Sequence, residues 1–331
     1  LSSTGSVGVA ENVLFVDDER NILHAVERLF MDCGFRVLTA DTPLAALKLV
    51  DDEEVAVIVS DNLMPGMRGV ELLARVRQIS PDTVKILMTA YADLSTAVDA
   101  INTGEVFRFV VKPWDDSSLL NTVRDAVDRY RLTQSMRKAD EATLLSLAQT
   151  IELKDRYTRG HCDRVANFAL MIAGALDFDD TITREIKYGS WLHDCGKIGV
   201  PESILNYPGP LQPEEYEVIK KHPVWGADVA RQAMLPERVI NIILYHHEKY
   251  GGDGYPEGRR GDDIPLEARI VSIADVFDAM TSDRPHRKAY GPAEAEATMT
   301  SLKGSVLDPA LVDLFLPLLP WRAVAQKGAG R

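Results

Sequence analysis

Histidine followed directly by aspartate, His193-Asp194, closes an apolar run of Ile186, Tyr188, Trp191 and Leu192, putting two metal-capable side chains at a helix terminus. One such pair is usually no more than a hydrogen-bonded helix end. The rest of the histidine inventory changes that reading. Of 7 histidines, His161, His222, His246 and His247 fall on either side of the pair, and only His24 and His286 lie outside the group. Imidazoles mixed with carboxylates suit Fe, Mn or Zn better than Mg or Ca. Asp194, at the centre of the set, can bridge two cations through its two oxygens. Two cations a few ångströms apart generate hydroxide at neutral pH and clamp both oxygens of an in-line phosphoryl displacement. Lys197, about one helical turn beyond His193, is placed to hold phosphate charge.

A second set of chemical residues lies in the first half of the chain. Asp17, Asp18, Asp61, Thr89 and Lys112 each follow a short apolar or β-branched run. Three carboxylates converging on one edge repel one another unless a hard cation such as Mg²⁺ sits among them. A lysine and a hydroxyl across the same pocket would hold the oxygens of a phosphoryl group carried on one carboxylate.

The runs at 13–16, 36–39, 55–59, 85–88 and 106–111 read as buried strands, with amphipathic helices such as 22–30 and 70–76 between them. This predicts an α/β domain, a doubly wound five-stranded parallel sheet with helices on both faces. Chemistry in such sheets gathers at the carboxyl ends of the strands. Asp115 to Ser118 offer N-caps for a long helix with no Gly or Pro before Gly160. Leu120, Val123, Val127 and Tyr130 form a coiled-coil-like seam that turns polar at Gln134, Arg137 and Glu141 and resumes at Leu144, Ala148 and Ile151. A dimerising signalling helix is the expectation.

Everything beyond reads as all-α. A helix over 158–176 carries His161 in its first turn, and one over 181–194 delivers His193 and Asp194. Pro213 starts a helix expected to end at His222-Pro223, and Pro236 starts another ending in His246-His247. On a helix begun by Pro265, Val271, Asp275, Asp278 and Ser282 share one face, while Ile270, Ile273, Ala274 and Phe277 turn to the core. Ligands drawn from facing helices are a common way to build a metal site.

A length of 331 residues favours two domains. The expected division is a disordered leader over 1–9, a sheet domain over 10–130, a helical connector over 131–152 and a second domain over 153–331. Leu1 to Ser6 lack the basic and apolar regions expected of a signal peptide, and no apolar run is long enough to span a membrane. The three cysteines, Cys33, Cys162 and Cys195, form no framework and fit a reducing cytoplasm. A net charge of −13 argues against DNA as a partner. It still allows a small phosphorylated ligand held by a local cluster of metal, Lys and Arg. Arg284 and Arg287 suit bidentate phosphate contact.

Two families are resembled. Phe15-Val16-Asp17-Asp18-Glu19, Asp61 to Met67, Met88-Thr89-Ala90 and Lys112-Pro113-Trp114 resemble the motifs of the flavodoxin-like receiver domain of bacterial response regulators. The resemblance implies phosphorylation of Asp61 by a partner histidine kinase and Mg²⁺ held by Asp17, Asp18 and Asp61. It also implies phosphoryl contacts from Thr89 and Lys112, Phe109 as the aromatic switch, and a cis Lys112-Pro113 bond. Gly160 to Val165, His193 to Pro201, His222-Pro223, His246-His247-Glu248, Gly252 to Pro256, Ile273 to Ser282 and Arg284-Pro285 resemble the HD-GYP family of HD phosphodiesterases.

That second resemblance implies hydrolysis of cyclic di-GMP to pGpG, and on to GMP in some members. His193, Asp194 and Asp275 would bind one metal and Asp194, His222, His246 and His247 the other, with His161 at a further ligand position. Lys197 would meet the scissile phosphate, and Tyr255, Asp278, Arg284 and Arg287 would lie near the substrate. Members holding three metals have Glu where this chain has Tyr157, so two ions, Fe or Mn, are expected. The alternatives are a non-catalytic cyclic di-GMP effector that signals through protein partners, and an HD phosphohydrolase acting on another nucleotide.

Overall fold

The computed structural model describes residues 10–90, 106–155, 160–283 and 288–322. The expected leader, 1–9, lies outside them. The chain divides into two compact units between Ala139 and Asp140.

In the first unit, strands β1 (Asn12–Val16), β2 (Arg36–Ala40), β3 (Val55–Asp61), β4 (Val84–Ala90) and β5 (Arg108–Lys112) form the predicted parallel sheet. Its order is β2-β1-β3-β4-β5. Every residue of β3 is buried, as a strand covered on both faces must be. Alternate side chains serve alternate layers. Val13, Phe15, Val57, Val59, Ile86 and Met88 meet Leu23 and Val26 of α1 (Arg20–Leu29). Leu14, Val16, Ile58 and Leu87 meet α2 (Pro43–Asp52) and α3 (Gly69–Ile79) through Ala46, Val50, Leu72, Leu73 and Val76.

Helix α4 runs unbroken from Asp116 to Glu152. Asp115 caps it, its Oδ1 accepting the Ser118 N–H at 2.9 Å. The expected coiled-coil seam is corrected here. Val123, Val127 and Tyr130 are buried against the sheet with Leu119 and Ala126, and Leu120 packs beside them. The Tyr130 hydroxyl donates to Glu54 at 2.6 Å, and Arg131 makes two 2.6 Å bonds to Glu11. A 3-4 spacing reveals a buried stripe without revealing its partner, and here the partner is a sheet. Further along α4, Leu144 and Ala148 pack with the second unit's Trp191 and Leu192.

Among its described residues the second unit is helical, as expected, apart from an isolated bridge between Lys303 and Leu307. Helices α5 (His161–Ala175), α6 (Asp180–Leu192), α10 (Leu266–Thr281) and α12 (Pro309–Phe315) enclose the main core. Phe277 sits edge-on to Phe168 and Phe315, with centroids 4.9 and 5.0 Å apart. Pro213 opens α7, which stops at Ile219, and α8 (His222–Gln232) then begins. So His222 starts a helix where the sequence reading had it ending one. Helix α9 (Glu237–Tyr245) leads to His246, and α11 (Pro292–Ser301) covers the far side of the core through Ala295 and Met299.

Candidate functional site

Strand order reverses between β1 and β3, which opens a crevice at their carboxyl ends. Asp17 and Asp61 are buried there, Thr89 is buried at the end of β4, and Asp18 is exposed. Lys112 Nζ lies 2.6 Å from Asp17 Oδ2 and 2.6 Å from Asp61 Oδ1. The other two oxygens accept backbone N–H groups of Glu19 and Leu63, each at 2.9 Å. Burial pushes the Asp17 carboxyl up while Lys112 pulls against it. Burial also works against the Lys112 charge, but Asp17 and Asp61 outweigh it and raise the lysine. One ammonium against the three acids at these strand ends leaves net negative charge, which a Mg²⁺ ion would relieve. Phe109 packs against the layer containing Leu14 and Leu87, and the Lys112-Pro113 bond is cis.

In the second unit the helix ends converge. His161 opens α5, His193 caps α6, His222 opens α8 and His246 caps α9. Asp194 precedes a 3-10 turn, Cys195–Gly199, that carries Lys197. The backbone fixes three ring tautomers. His193 Nδ1 is 2.7 Å from Ser190 O, His222 Nδ1 is 2.8 Å from Ile219 O, and His246 Nδ1 is 3.0 Å from Ile243 O. A carbonyl only accepts, so Nδ1 carries the proton and Nε2 keeps its lone pair.

These lone pairs point at one another and at Asp194. Nε2 of His222 is 3.4 Å from Nε2 of His246 and 3.2 Å from Asp194 Oδ1, and His193 Nε2 is 3.4 Å from Asp194 Oδ2. Yet His193 Nε2 and Asp194 Oδ1 are buried without a hydrogen-bond partner among the described residues. Acceptors facing acceptors repel, and a cation among them relieves the repulsion. The donor set therefore fits divalent metal. Ligand atoms of Asp194, His222, His246 and His247 lie within 4.8 Å of one another, as do those of His161, His193 and Asp194. Asp194 is common to both groups, and Asp275 Oδ1 stands 3.3 Å from His161 Nε2.

Charge is divided unevenly across the cluster. Burial pushes His247 down to about 3, helped by His222, and holds His246 well below its ordinary value, helped by His247. Burial opposes a charge on His161 too, but hydrogen bonds to Asp275 and Asp278 take it up to about 10. Burial would raise Asp194 and Asp275, but Lys197 outweighs it at Asp194 and His161 at Asp275, leaving both well below the carboxylate range. Lys197 Nζ is 2.6 Å from Asp194 Oδ2 and 3.5 Å from Asp155 Oδ2. Burial works against its charge, but these acids push it up to about 12, so it stays an ammonium at neutral pH.

The cluster floors a cleft of about 1080 Å³ whose walls include Tyr207, Pro210, Met280 and Val306. Ligand pockets are usually roughly 300–1,000 Å³. Asp278, which the resemblance puts near the substrate, is 2% exposed and its oxygens are engaged within the protein. It holds His161 Nδ1 at 2.7 Å, Arg164 Nε at 2.6 Å and the Ser282 hydroxyl at 3.2 Å. The Tyr255 ring lies 4.8 Å from that of His247, and its N–H donates to His247 O at 3.2 Å. Arg284, Arg287 and Tyr157 lie outside the described residues.

Sequence reasoning quoted Arg164 and Glu248 within motifs but gave neither a role of its own, and it did not single out Asp155. Arg164 stands one turn after His161, a spacing that could have flagged it. Glu248 is buried and accepts the backbone N–H groups of Glu257, Gly258 and Arg259 at 2.8 to 3.0 Å, which folds the loop after Tyr255. No local pattern announces such a nest.

Comparisons with known proteins agree with both halves. The response regulator receiver domain family matches residues 13–124, and the HD domain family matches 145–311. The chain is 34% identical over 331 residues to the cyclic di-GMP phosphodiesterase response regulator RpfG of Xanthomonas campestris pv. campestris, covering 92% of this chain and 87% of that protein. It is 30% identical over 333 residues to a cyclic di-GMP phosphodiesterase of Thermotoga maritima, covering 92% and 90%. A 3'3'-cGAMP-specific phosphodiesterase 2 of Vibrio cholerae is 33% identical over 191 residues, 57% of this chain and 37% of that one.

Proposed function

The chain belongs to the family of response regulators that join a receiver to an HD domain, and on that premise we propose that it hydrolyses cyclic di-GMP to pGpG under control of phosphorylation at Asp61. The observation that carries the reading is the set of imidazoles anchored through Nδ1, with Nε2 turned on a shared Asp194 at the floor of a large cleft. His161, His193, Asp194 and Asp275 would hold one ion, and Asp194, His222, His246 and His247 the other. A bound pair of divalent cations, Fe or Mn, supplies Lewis-acid chemistry for phosphodiester cleavage. The protein's own part is to orient these rings and to set the Lys197 ammonium beside Asp194, where it offsets phosphate charge. Arg284 and Arg287 complete the substrate contacts in this reading.

In the receiver, a histidine kinase phosphorylates Asp61 with Mg²⁺ held by Asp17, Asp18 and Asp61. A homodimer is still proposed, now through the exposed Leu132 and Met136 of α4 and not through the buried stripe. Light scattering that finds only monomer, with and without an acyl-phosphate mimic, removes that part. Among the described residues no helix is long and apolar enough to cross a membrane. The test of the enzyme is pGpG release by metal-loaded protein and its loss in Asp194→Ala. Turnover retained in that variant refutes the site. The Vibrio relative gives a specific reason to include 3'3'-cGAMP in the substrate panel, and preference for it would replace cyclic di-GMP in this reading.

A further inference from the structure

Helix α5 begins without a conventional cap. Its N-cap position is Gly160, with φ of +71° and no side chain to satisfy the first N–H groups. The acceptor comes from another helix. Glu152, the last residue of α4, accepts the Gly160 N–H through Oε2 at 2.8 Å and the Cys162 N–H through Oε1 at 2.6 Å. These two peptides flank His161. The carboxylate also stands at the positive end of a 15-residue helix, where negative charge is favoured.

The His161 ring is fixed separately, by Asp278 at Nδ1, and its Nε2 then falls 3.3 Å from Asp275 Oδ1 and 4.0 Å from Asp194 Oδ2. Neighbouring residues at the same end of α4 grip the other side of the cluster. Lys154 Nζ donates to the carbonyls of Ile198 and Val200 at 2.6 and 2.5 Å, closing the turn that carries Lys197.

We infer that Glu152 is a positioning residue for one ion of the pair: by seating the first turn of α5 it sets His161 Nε2 at the ligand distance. This rests on the two-ion reading above and adds a regulatory point to it. Glu152 ends the helix that starts at Asp116, so the first turn of α5, and His161 with it, is tied to the end of α4.

The test is Mn²⁺ titration of metal-free, full-length protein, with bound ion counted by electron paramagnetic resonance. Wild type takes up two ions. Glu152→Gln keeps the shape but turns an amide N–H toward a backbone N–H. It should bind one ion as wild type does and the other at least about tenfold more weakly, the usual scale for outer partners of a ligand. In a His161→Ala background, Glu152→Gln should then weaken that ion no further. Glu152→Asp, which retains the charge, should recover part of the loss. Two ions bound with unchanged affinity in Glu152→Gln overturn the inference. Equal weakening of both ions, or an added loss on top of His161→Ala, reduces Glu152 to a structural cap and overturns it as well. Wild-type protein that takes up fewer than two ions overturns the two-ion reading itself, a different result from either.

Discussion

Asp278→Asn separates two roles that the sequence and the structure give the same residue. The resemblance puts Asp278 near the substrate, whereas its carboxylate is buried and holds His161 Nδ1 at 2.7 Å and Arg164 Nε at 2.6 Å. Asparagine has nearly the same shape and keeps one acceptor oxygen, but it removes the charge that both partners lean on. Outer partners of a metal ligand are typically worth about 10–100-fold in metal affinity. That corresponds to roughly 1.4–2.8 kcal/mol. Burial raises the Asp278 carboxyl, but the bonds from His161 and Arg164 outweigh it and hold it below its ordinary value. A depressed carboxylate gives stability that is present above its unfolded value and is lost as the pH falls through its folded one. The variant should therefore be less stable than wild type at neutral pH, with the difference closing in acid. Mn²⁺ titration and steady-state kinetics on cyclic di-GMP decide the matter together. The expected pattern is weaker binding of one ion, lower kcat at limiting metal and little change in KM at saturating metal. A raised KM with unchanged metal affinity would restore the substrate role and refute the assignment to His161.

Other substitutions probe the frame around the site. A Cβ at Gly196 would lie 1.9 Å from His222 O and 2.7 Å from Gly226 N, so Gly196→Ala must push the Lys197 turn away from α8. Overpacking of this kind costs roughly 1–3 kcal/mol or more. A lower melting temperature and loss of the ion held by the His222 group are expected, and wild-type metal content would contradict the packing. Glu248→Gln should weaken the bonds from Glu257, Gly258 and Arg259 by about 1.5–3 kcal/mol, the range for a charged acceptor. Raised KM through a displaced Tyr255 is the kinetic sign; unchanged KM and melting temperature would exclude it. Lys85, 6% exposed on β4, is lowered to about 8 by burial, with Arg77 adding to it. The unfolded chain then binds more protons between about pH 8 and 10.5, so stability rises with pH across that window. Lys85→Met should stabilise the receiver at pH 7 by at most about 3 kcal/mol, with the advantage shrinking above pH 8. A gain that stays constant to pH 10 would contradict this.

The sheet was legible because its strands are written in one alphabet. Val13 to Val16 and Val55 to Val59 are continuous apolar runs, which in a parallel sheet means burial on both faces. The acids and the lysine that follow these runs fell at the carboxyl edge for the same reason. The metal cluster was legible by chemical type. Histidines at the ends of apolar helical patterns have few other uses in such number, and the structure brings His161, His193, His222, His246 and His247 around Asp194.

What was not legible depends on partners far away in sequence. Asp275 and Asp278 share a face of α10, and nothing in their spacing says that one faces the cleft while the other takes His161 and Arg164, more than 100 residues earlier. The stripe in α4 failed in the same way. Leu120, Val123, Val127 and Tyr130 have the period of a helix buried on one side, and that period is the same whether the covering surface is a second helix or a sheet. The polar residues after the stripe, Gln134 and Arg137, carried the missing information, since both bond Asp82 in the loop before β4. A helix tied to the receiver at Glu11, Glu54 and Asp82 has already committed that face. A second copy of the chain that docked on this helix would meet its opposite side, where Leu132 and Met136 are exposed. Charged substitution of Leu132 and Met136 should thus abolish a dimer without unfolding the receiver, whereas the same change at Val123 or Val127 should unfold it.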